Sequence, residues 1–226
     1  MAPQSLLYAL DSMNGQVMQQ QLTDMLDMQD RMNRRVHPDW MAQEFAWYRA
    51  LWLECGELID HYGYKWWKQQ QPDMAQVQLE VVDIWHFGLS MLLDGRSSQQ
   101  IASDLVADVN SGTIPECGVL ESAEALAQQT LVTRQFPVML FWSLVRATGL
   151  NFSALYRAYI GKNVLNFFRQ DHGYQQGTYL KCWAGREDNE HLWELIEAMD
   201  SSAPEFADQL YTELAQRYRQ LGPCRT

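Results

Sequence analysis

Apolar residues recur along most of the chain at intervals of three and four, which is the spacing of amphipathic helices. In residues 17–34 this series includes Leu22, Met25 and Leu26, and Pro38 then ends it, because proline disfavours helix in the residue before it. The period-two alternation of half-buried strands is hard to find. The pattern therefore predicts an all-α fold, a helical bundle.

The same periodicity predicts eight further helices, several of which begin at a capping residue. Asp39 and Asp73 are expected to cap the first two of them, and Ser97 or Ser98 the third. The eight helices cover approximately residues 40–61, 74–93, 98–109, 119–130, 133–148, 152–170, 189–199 and 204–221.

The organisation of the chain follows from the segments between these helices. Residues 171–188 carry three glycines and little periodicity, which indicates an ordered loop. We find no internal repeat and no low-complexity tract. We therefore interpret residues 1–226 as a single all-α domain, with the less apolar region at about 95–130 as a candidate mobile helical appendage.

The chain has 226 residues, of which 47% are hydrophobic, so its composition is that of a folded domain and not of a disordered segment. It carries 17 Lys and Arg against 28 Asp and Glu, for a net charge of -11. This balance argues against binding to nucleic acid or to an anionic membrane, since both need a basic surface. An acidic protein that handles an anionic substrate needs metal cations to bridge the two.

Two of the predicted helices carry carboxylates within strongly apolar sequence. The third helix is apolar on almost every side, which indicates burial, yet Glu80 and Asp83 lie three residues apart on one of its faces. Glu54 and Glu57 repeat this spacing in the second helix. A buried carboxylate needs a partner, because removing an unpaired charge from water is costly.

If these two helices pack side by side, their four carboxylates converge. Four like charges in a dry site need cations to neutralise them, and an all-oxygen set selects a hard cation such as Mg²⁺. Mg²⁺ held in this way with open positions is the usual arrangement for binding a polyphosphate. A single Glu-x-x-Glu pair is common on solvated helix faces, whereas two pairs in apolar helices favour a metal site.

A set of hydrogen-bond donors lies later in the chain, in residues 161–183. The set comprises Lys162, Asn163, Asn166, Arg169, Tyr174, Tyr179 and Lys181. Its Lys, second Asn and Arg fall at i, i+4 and i+7, which places them on one stripe of a helix. Such a set suits phosphate oxygens. A solvated basic face is the alternative, and the pattern alone does not decide between the two.

The first helix and the connection after the second carry residues suited to a base. Gln29 and Asn33 are four residues apart and face one way, and a side-chain amide offers a donor and an acceptor to a pyrimidine edge. Ordinary surface polarity is the more common explanation of such a pair. Trp66 and Trp67 could stack on a base or could cover the core.

Together these motifs resemble the dimeric, all-α dUTP diphosphatases (dUTPases), which belong to the all-α nucleoside triphosphate (NTP) pyrophosphatase superfamily. The superfamily is indicated by Glu54-Cys-Gly-Glu57 with Glu80-Val-Val-Asp83. The stretches 60–68, 82–88, 161–170, 173–174 and 177–183 are similar to the family, and the first of them together with the late Lys-Asn-Arg segment indicates the dUTPase branch. The resemblance spans roughly residues 20–95 and 150–185.

The resemblance implies an all-α NTP pyrophosphatase fold and hydrolysis of dUTP, and often of dUDP, to dUMP, with release of pyrophosphate or phosphate. It implies two or three Mg²⁺ ions per site, held by Glu54, Glu57, Glu80 and Asp83. Glu57 would also polarise the water that attacks the β-phosphorus. The phosphate and sugar would be held by Lys65, Lys162, Asn163, Asn166, Arg169, Tyr174, Tyr179 and Lys181.

The same resemblance implies a uracil site and a homodimer. Gln29 and Asn33 would read the uracil edge, and Trp67 would close over the base. Residues of a partner subunit would help to close the pocket. No departure from the family pattern occurs at the four carboxylates.

Three alternatives remain open. A relative in the same superfamily could prefer another nucleotide, such as dCTP, and Gln29 and Asn33 would decide the preference. A di-iron carboxylate bundle needs two Glu-x-x-His pairs, and the chain offers only Asp83-x-x-His86. A helical interaction module would leave the carboxylates in the apolar helices unexplained.

The cysteines and the apolar runs bear on the compartment. No pair of the four cysteines has the Cys-x-x-Cys spacing of a zinc site, and we expect reduced thiols in a cytoplasmic protein. No run of 18 uninterrupted apolar residues predicts a membrane helix, and residues 1–15 lack the features of a signal peptide. The expected partner is a nucleotide, with no nucleic acid and no membrane.

Overall fold

The computed structural model describes residues 15–200, 203 and 205–221, and within them it confirms the all-α prediction. The described residues form nine α-helices, one short 3₁₀ turn and one hairpin of two-residue strands. The helices are α1 (Gly15–Val36), α2 (Trp47–Tyr62), α3 (Met74–Leu92), α4 (Ser98–Ser111), α5 (Val119–Thr133), α6 (Val138–Ala147), α7 (Phe152–Asp171), α8 (Asp188–Ala198) and α9 (Phe206–Leu221). The antiparallel strands are β1 (Cys182–Trp183) and β2 (Arg186–Glu187).

The chain divides into two compact units, and each is built from two separate stretches of sequence. Of the described residues, unit 1 holds those up to Asp30 together with Met41–Tyr156. Unit 2 holds Arg31–Trp40 and the residues from Arg157 onward. The helices α1 and α7 each contribute residues to both units.

Unit 1 is organised around α3, which is buried on almost every side as its sequence predicts. Trp85 is fully buried and stacks on Phe141 of α6, with ring centroids 4.7 Å apart. Helix α2 packs against α3 and α5, and α5 also packs against α6. Asp73 caps α3 as predicted, because its side chain accepts a hydrogen bond from the backbone of Gln76 at 3.2 Å.

Unit 2 has an aromatic core. The ring of Phe168 on α7 meets Trp183 of β1 and Tyr218 of α9 edge-on, at centroid distances of 5.8 and 5.5 Å. Trp183 stacks on His191 of α8, and the His191 Nε2 lies 3.0 Å from the Trp183 carbonyl oxygen. The early stretch of this unit is joined to the late one by Arg35, which pairs with Asp171 at 2.8 Å.

The start of the second helix differs from the prediction. Residues Trp40–Gln43 form only a 3₁₀ turn, and Glu44 then takes a left-handed conformation with φ of 49°. Helix α2 therefore begins at Trp47, after Ala46, whose side chain makes no capping hydrogen bond. The predicted role of Asp39 as the cap of this helix is wrong, since the left-handed residue interrupts the helical path after the 3₁₀ turn.

The region predicted as a loop at 171–188 contains the small hairpin. Its tip is Ala184-Gly185, both at positive φ, a conformation in which two residues can join twisted antiparallel strands. Two residues per strand are too few for a period-two pattern to be recognised, so these strands could not be predicted. Helix α8 follows the hairpin directly.

The cysteines differ in part from the expectation of reduced thiols. Cys55 is buried and free, and Cys117 is exposed and free. Cys182 is disulfide-bonded, so the expectation is wrong at this position; residue spacing carries no information on which cysteines meet in the fold. Cys224 and the segment 1–14 lie outside the described residues.

No single helix among the described residues is long and apolar enough to cross a membrane. Two consecutive helices, Val138–Ala147 and Phe152–Asp171, are together long and apolar enough for a membrane span, but they are bent by 100° at the break between them. Length and composition are the only properties on which they match a membrane span.

Candidate active site

Four acidic side chains lie close together where α2 packs against α3 in unit 1. Glu54 and Glu57 are one turn apart on α2, and Glu80 and Asp83 are one turn apart on α3. One carboxylate oxygen from each of Glu54, Glu57 and Glu80 lies within 4.8 Å of the other two. Asp83 is near enough for its charge to act on Glu54. The pair on α2 and the pair on α3, which the sequence suggested would converge, therefore lie close together.

The charges of this carboxylate cluster oppose one another. Burial, followed by the negative charges of Asp83, Glu80 and Glu57, raises the pKa of Glu54 to about 8. Glu80 is buried, whereas Glu57 is exposed, so the cluster opens to solvent at Glu57. The His61 Nε2 lies 3.5 Å from a Glu80 oxygen. A hard divalent cation fits this set of oxygens. Its positive charge would offset the repulsion among the carboxylates, which favours the protonated form of Glu54 when no cation is bound.

The two amide residues proposed for the base are buried on α1. Gln29 and Asn33 are each only 4% exposed, which excludes ordinary surface polarity as their explanation. In unit 1 the Gln29 Oε1 lies 2.8 Å from the Nδ1 of the buried His86 on α3. Gln29 lies on the same face of α1 as the buried Leu22 and Leu26. Neither its burial nor its contact with His86 was predicted from the sequence.

The connection between α2 and α3 is rich in exposed aromatic rings. Trp66 is 90% exposed and Trp67 is 60% exposed, so neither covers the core. Their rings meet edge-on with centroids 5.5 Å apart. The Nζ of Lys65 pairs with Asp60 at 3.1 Å and lies over the ring of Tyr64. Trp67 is thus available to a ligand at the surface of unit 1.

In unit 2 the predicted donors on α7 are largely buried. Lys162, Asn163 and Arg169 are 6%, 0% and 8% exposed, so a solvated basic face does not account for them. The Asn163 Nδ2 donates to the hydroxyl of Tyr159 at 3.3 Å, and the Lys162 Nζ donates to Asn189 at 3.4 Å.

The remaining donors lie on or after the end of α7. Asn166 accepts a hydrogen bond from Arg169 at 3.4 Å. Tyr174 is exposed, and the Nζ of Lys181 lies 5.6 Å from the centre of its ring. The hydroxyl of Tyr179 donates to Asp188 at 2.7 Å.

Two residues of this region were missed in the sequence, Asp188 and Asn189. They begin α8 and contact Arg169 and Lys162. Acidic and amide residues at the start of a helix are usually explained by capping, so the sequence carried no separate signal for these contacts.

A known protein family matches most of the chain. A family model described as dUTPase matches residues 21–174, which is well over half of the chain. The chain belongs to the dUTPase family. A comparison with curated proteins finds no match. The dUTPase match includes the carboxylate cluster, both buried amides of α1 and the donors of α7, and it ends before the hairpin and α8.

Membership in the family identifies the chain as a dUTP-hydrolysing enzyme, a dUTP diphosphatase. It also excludes the alternative that the bundle is only an interaction module. The dUTPase fold of this chain is mostly helical, as the resemblance implied.

Proposed function

We propose that this dUTPase hydrolyses dUTP, and also dUDP, to dUMP in a Mg²⁺-dependent reaction that releases pyrophosphate or phosphate. The observation that carries the proposal is the carboxylate cluster, in which three oxygens lie within 4.8 Å of one another and burial and repulsion raise the pKa of Glu54 to about 8. Such a cluster has the ligand chemistry of a site for hard divalent cations.

In this proposal all four carboxylates bind metal, and Glu57 has a second role. Glu54, Glu57, Glu80 and Asp83 hold two or three Mg²⁺ ions. When bound, Mg²⁺ neutralises the triphosphate and lowers the pKa of a coordinated water. Glu57 is the exposed member of the cluster, and it orients the attacking water toward the β-phosphorus and accepts its proton.

Three residues are proposed to bind the base. Gln29 and Asn33 read the uracil edge, and Trp67 closes over the base. The positive charges of the donor set offset the charge that develops during phosphoryl transfer. The residues proposed to bind phosphate and sugar are Lys65, Lys162, Asn163, Asn166, Arg169, Tyr174, Tyr179 and Lys181.

We further propose that the enzyme is a homodimer that uses an exposed face of α2. Trp52 and Leu53 are 44% and 54% exposed on this helix. A Cβ added at Gly56, which shares their face, would meet no described atom within 4 Å apart from its chain neighbours and the backbone of its own helix. A glycine with open space beside exposed apolar side chains suits close approach of a helix from a second copy.

The test is a substrate panel. Pyrophosphate release is measured from dUTP, dCTP, dTTP and UTP, each with Mg²⁺ and with excess EDTA. We expect turnover that requires Mg²⁺ and strongly favours dUTP. Turnover that favours dCTP would retain the carboxylate site and overturn the uracil assignment, and turnover that persists in EDTA would overturn the metal assignment.

A further inference from the structure

Asp188 contacts two of the residues that we propose for phosphate binding. Its carboxylate accepts hydrogen bonds from the Nε and Nη2 of Arg169 at 2.8 and 2.7 Å. It also accepts the hydroxyl proton of Tyr179 at 2.7 Å. Asp188 is fully buried, and the other two side chains are 8% and 7% exposed. Two buried side chains of unit 2 therefore meet at one buried carboxylate.

The position of Asp188 in the chain brings further donors to the same place. It is the first residue of α8, where the partial positive charge of a helix N-terminus stabilises an anion. Its backbone N–H donates to the carbonyl of Lys181 at 2.8 Å. The next residue, Asn189, accepts a hydrogen bond from Lys162 at 3.4 Å. The first turn of α8 thus contacts the Lys and Arg residues of the donor set in unit 2.

The geometry of the ion pair fixes the orientation of the guanidinium. Asp188 takes one edge of Arg169 and uses two of its five N–H groups, while Nη1 donates to Asn166. A guanidinium held at one edge cannot rotate, and its other N–H groups keep a set direction. The single hydroxyl proton of Tyr179 is given to Asp188, so Tyr179 holds the carboxylate in place.

We propose that Asp188 is a positioning residue for the dUTPase reaction: it fixes the plane of Arg169 so that the guanidinium meets the phosphates in one orientation, and Tyr179 fixes Asp188. This inference rests on the proposed function. An arginine already oriented loses less rotational freedom when the triphosphate binds, and its charge is aimed where charge develops.

A role in stability alone explains the pair less well. A buried ion pair contributes little net stability, because desolvation of both charges offsets their attraction. In the same unit, Arg35 and Asp171 form a pair of similar length with both side chains exposed, at no such cost. The burial of Arg169 with Asp188 is explained if the orientation of the guanidinium matters to the reaction.

The decisive variant is Asp188→Asn. Its amide keeps the shape of the side chain but turns an NH₂ group toward the guanidinium, so the two-point contact is lost. We expect kcat/KM for Mg²⁺-dUTP to fall by up to about 100-fold, as misplacement of a binding group can cause. We also expect weaker binding of α,β-imido-dUTP, measured by calorimetry.

The matched control is Glu190→Gln. Glu190 is the other acidic residue in the first turn of α8, and its exposed side chain takes part in the capping box, which Gln can also form. We expect kcat and KM of this variant to equal those of the wild type. Near-UV circular dichroism of each variant establishes that it is folded at the assay temperature.

A second comparison separates positioning from folding. If Asp188 acts through Arg169, then Asp188→Asn lowers kcat/KM much less in an Arg169→Lys background than in the wild type. Equal losses in both backgrounds would overturn the proposal, as would a folded Asp188→Asn variant with unchanged kcat/KM. If Asp188→Asn does not fold, Tyr179→Phe replaces it in the same two backgrounds, with the same expectation and the same overturning result.

The wild type separates this inference from the proposed function. A wild type that releases no pyrophosphate from dUTP overturns the proposed function, and the inference with it. An active wild type whose Asp188 and Tyr179 variants are folded and equally active overturns the inference alone.

Discussion

Glu57 is the residue on which the chemistry of the carboxylate cluster depends most directly. It is the exposed member of the cluster, while Glu80 beside it is buried. We expect Glu57→Gln to abolish pyrophosphate release, because an amide cannot accept the proton of the attacking water. Binding of α,β-imido-dUTP should persist in part, since the other three carboxylates remain.

The control for this variant is Glu124→Gln, which changes an exposed acid on α5 outside the cluster. It should leave pyrophosphate release and nucleotide binding unchanged. Full activity of Glu57→Gln in the same assay would show that another group takes the proton.

Asp188 also makes the stability of the protein depend on pH in the acid range. Its burial alone would raise the pKa of the carboxyl, but the hydrogen bonds and charge of Arg169, the hydroxyl of Tyr179 and the charge of Lys181 outweigh burial and lower it. A carboxyl whose pKa is lower in the folded state stabilises the protein above its ordinary value near 3.9, and this contribution is lost as the pH falls through the folded pKa.

We therefore expect the urea midpoint to fall as the pH drops below about 4, and to fall less steeply in Asp188→Asn, which cannot titrate. The measurement is urea unfolding of both proteins, followed by circular dichroism at several pH values. Equal slopes in the two proteins would mean that other carboxylates carry the acid sensitivity.

At the scale of single residues, the sequence allowed prediction of residues that share one face of a helix. The four carboxylates, Gln29 and the donors on α7 were found because each lies at regular intervals in an apolar helix. Asp188 could not be found in this way, because its partners lie 19 residues earlier and nine residues earlier in the chain and meet it only in the fold.

At the scale of elements, α3 packs closely against Phe136 at Gly88. A Cβ added there would lie 2.6 Å from two ring carbons of Phe136. That ring is buried against Trp85 and Phe141, at centroid distances of 5.8 and 5.3 Å, and has little room to move. Overpacking of this kind costs roughly 1–3 kcal/mol, against a gain of up to about 1 kcal/mol in helix propensity.

We expect Gly88→Ala to lower the free energy of unfolding by roughly 1–2 kcal/mol in urea titrations. The matched control is Gly15→Ala at the start of α1, where an added Cβ would meet no described atom within 4 Å apart from its chain neighbours and the backbone of its own helix. Its effect should remain within about 0.5 kcal/mol. A Gly88→Ala variant as stable as the control would mean that Phe136 can shift.

The elements themselves were predictable where a local signal fixes them. Asp73 and Ser97 cap α3 and α4 through their own side chains; the sequence predicted Asp73 directly and Ser97 as one of two candidates. The start of α2 was not, because the left-handed Glu44 that interrupts the chain is not a residue type that marks such a conformation. The hairpin was missed because its strands are too short to show a pattern.

For the whole molecule, the proposed homodimer can be tested at the exposed face of α2. Leu53→Lys places a charge among the apolar side chains of that face, and burying an unpaired charge is costly. We expect the variant to be monomeric where the wild type is dimeric, in light scattering coupled to size-exclusion chromatography. Val132→Lys, at a 76% exposed apolar position on α5, should leave the mass unchanged. A dimeric Leu53→Lys variant would move the interface elsewhere.

The two stretches of sequence that form unit 2 are synthesised at different times. Residues 31–40 leave the ribosome early, but Asp171, which pairs with Arg35, and Gln175, which donates to the carbonyl of Val36, are synthesised much later. At about 5–20 residues per second, the intervening residues of unit 1 take roughly 6–25 s to appear. During that time the early stretch has no partners from its own unit. Unit 1 can therefore form while the nascent chain is still growing, whereas unit 2 must await the synthesis of α7, α8 and α9.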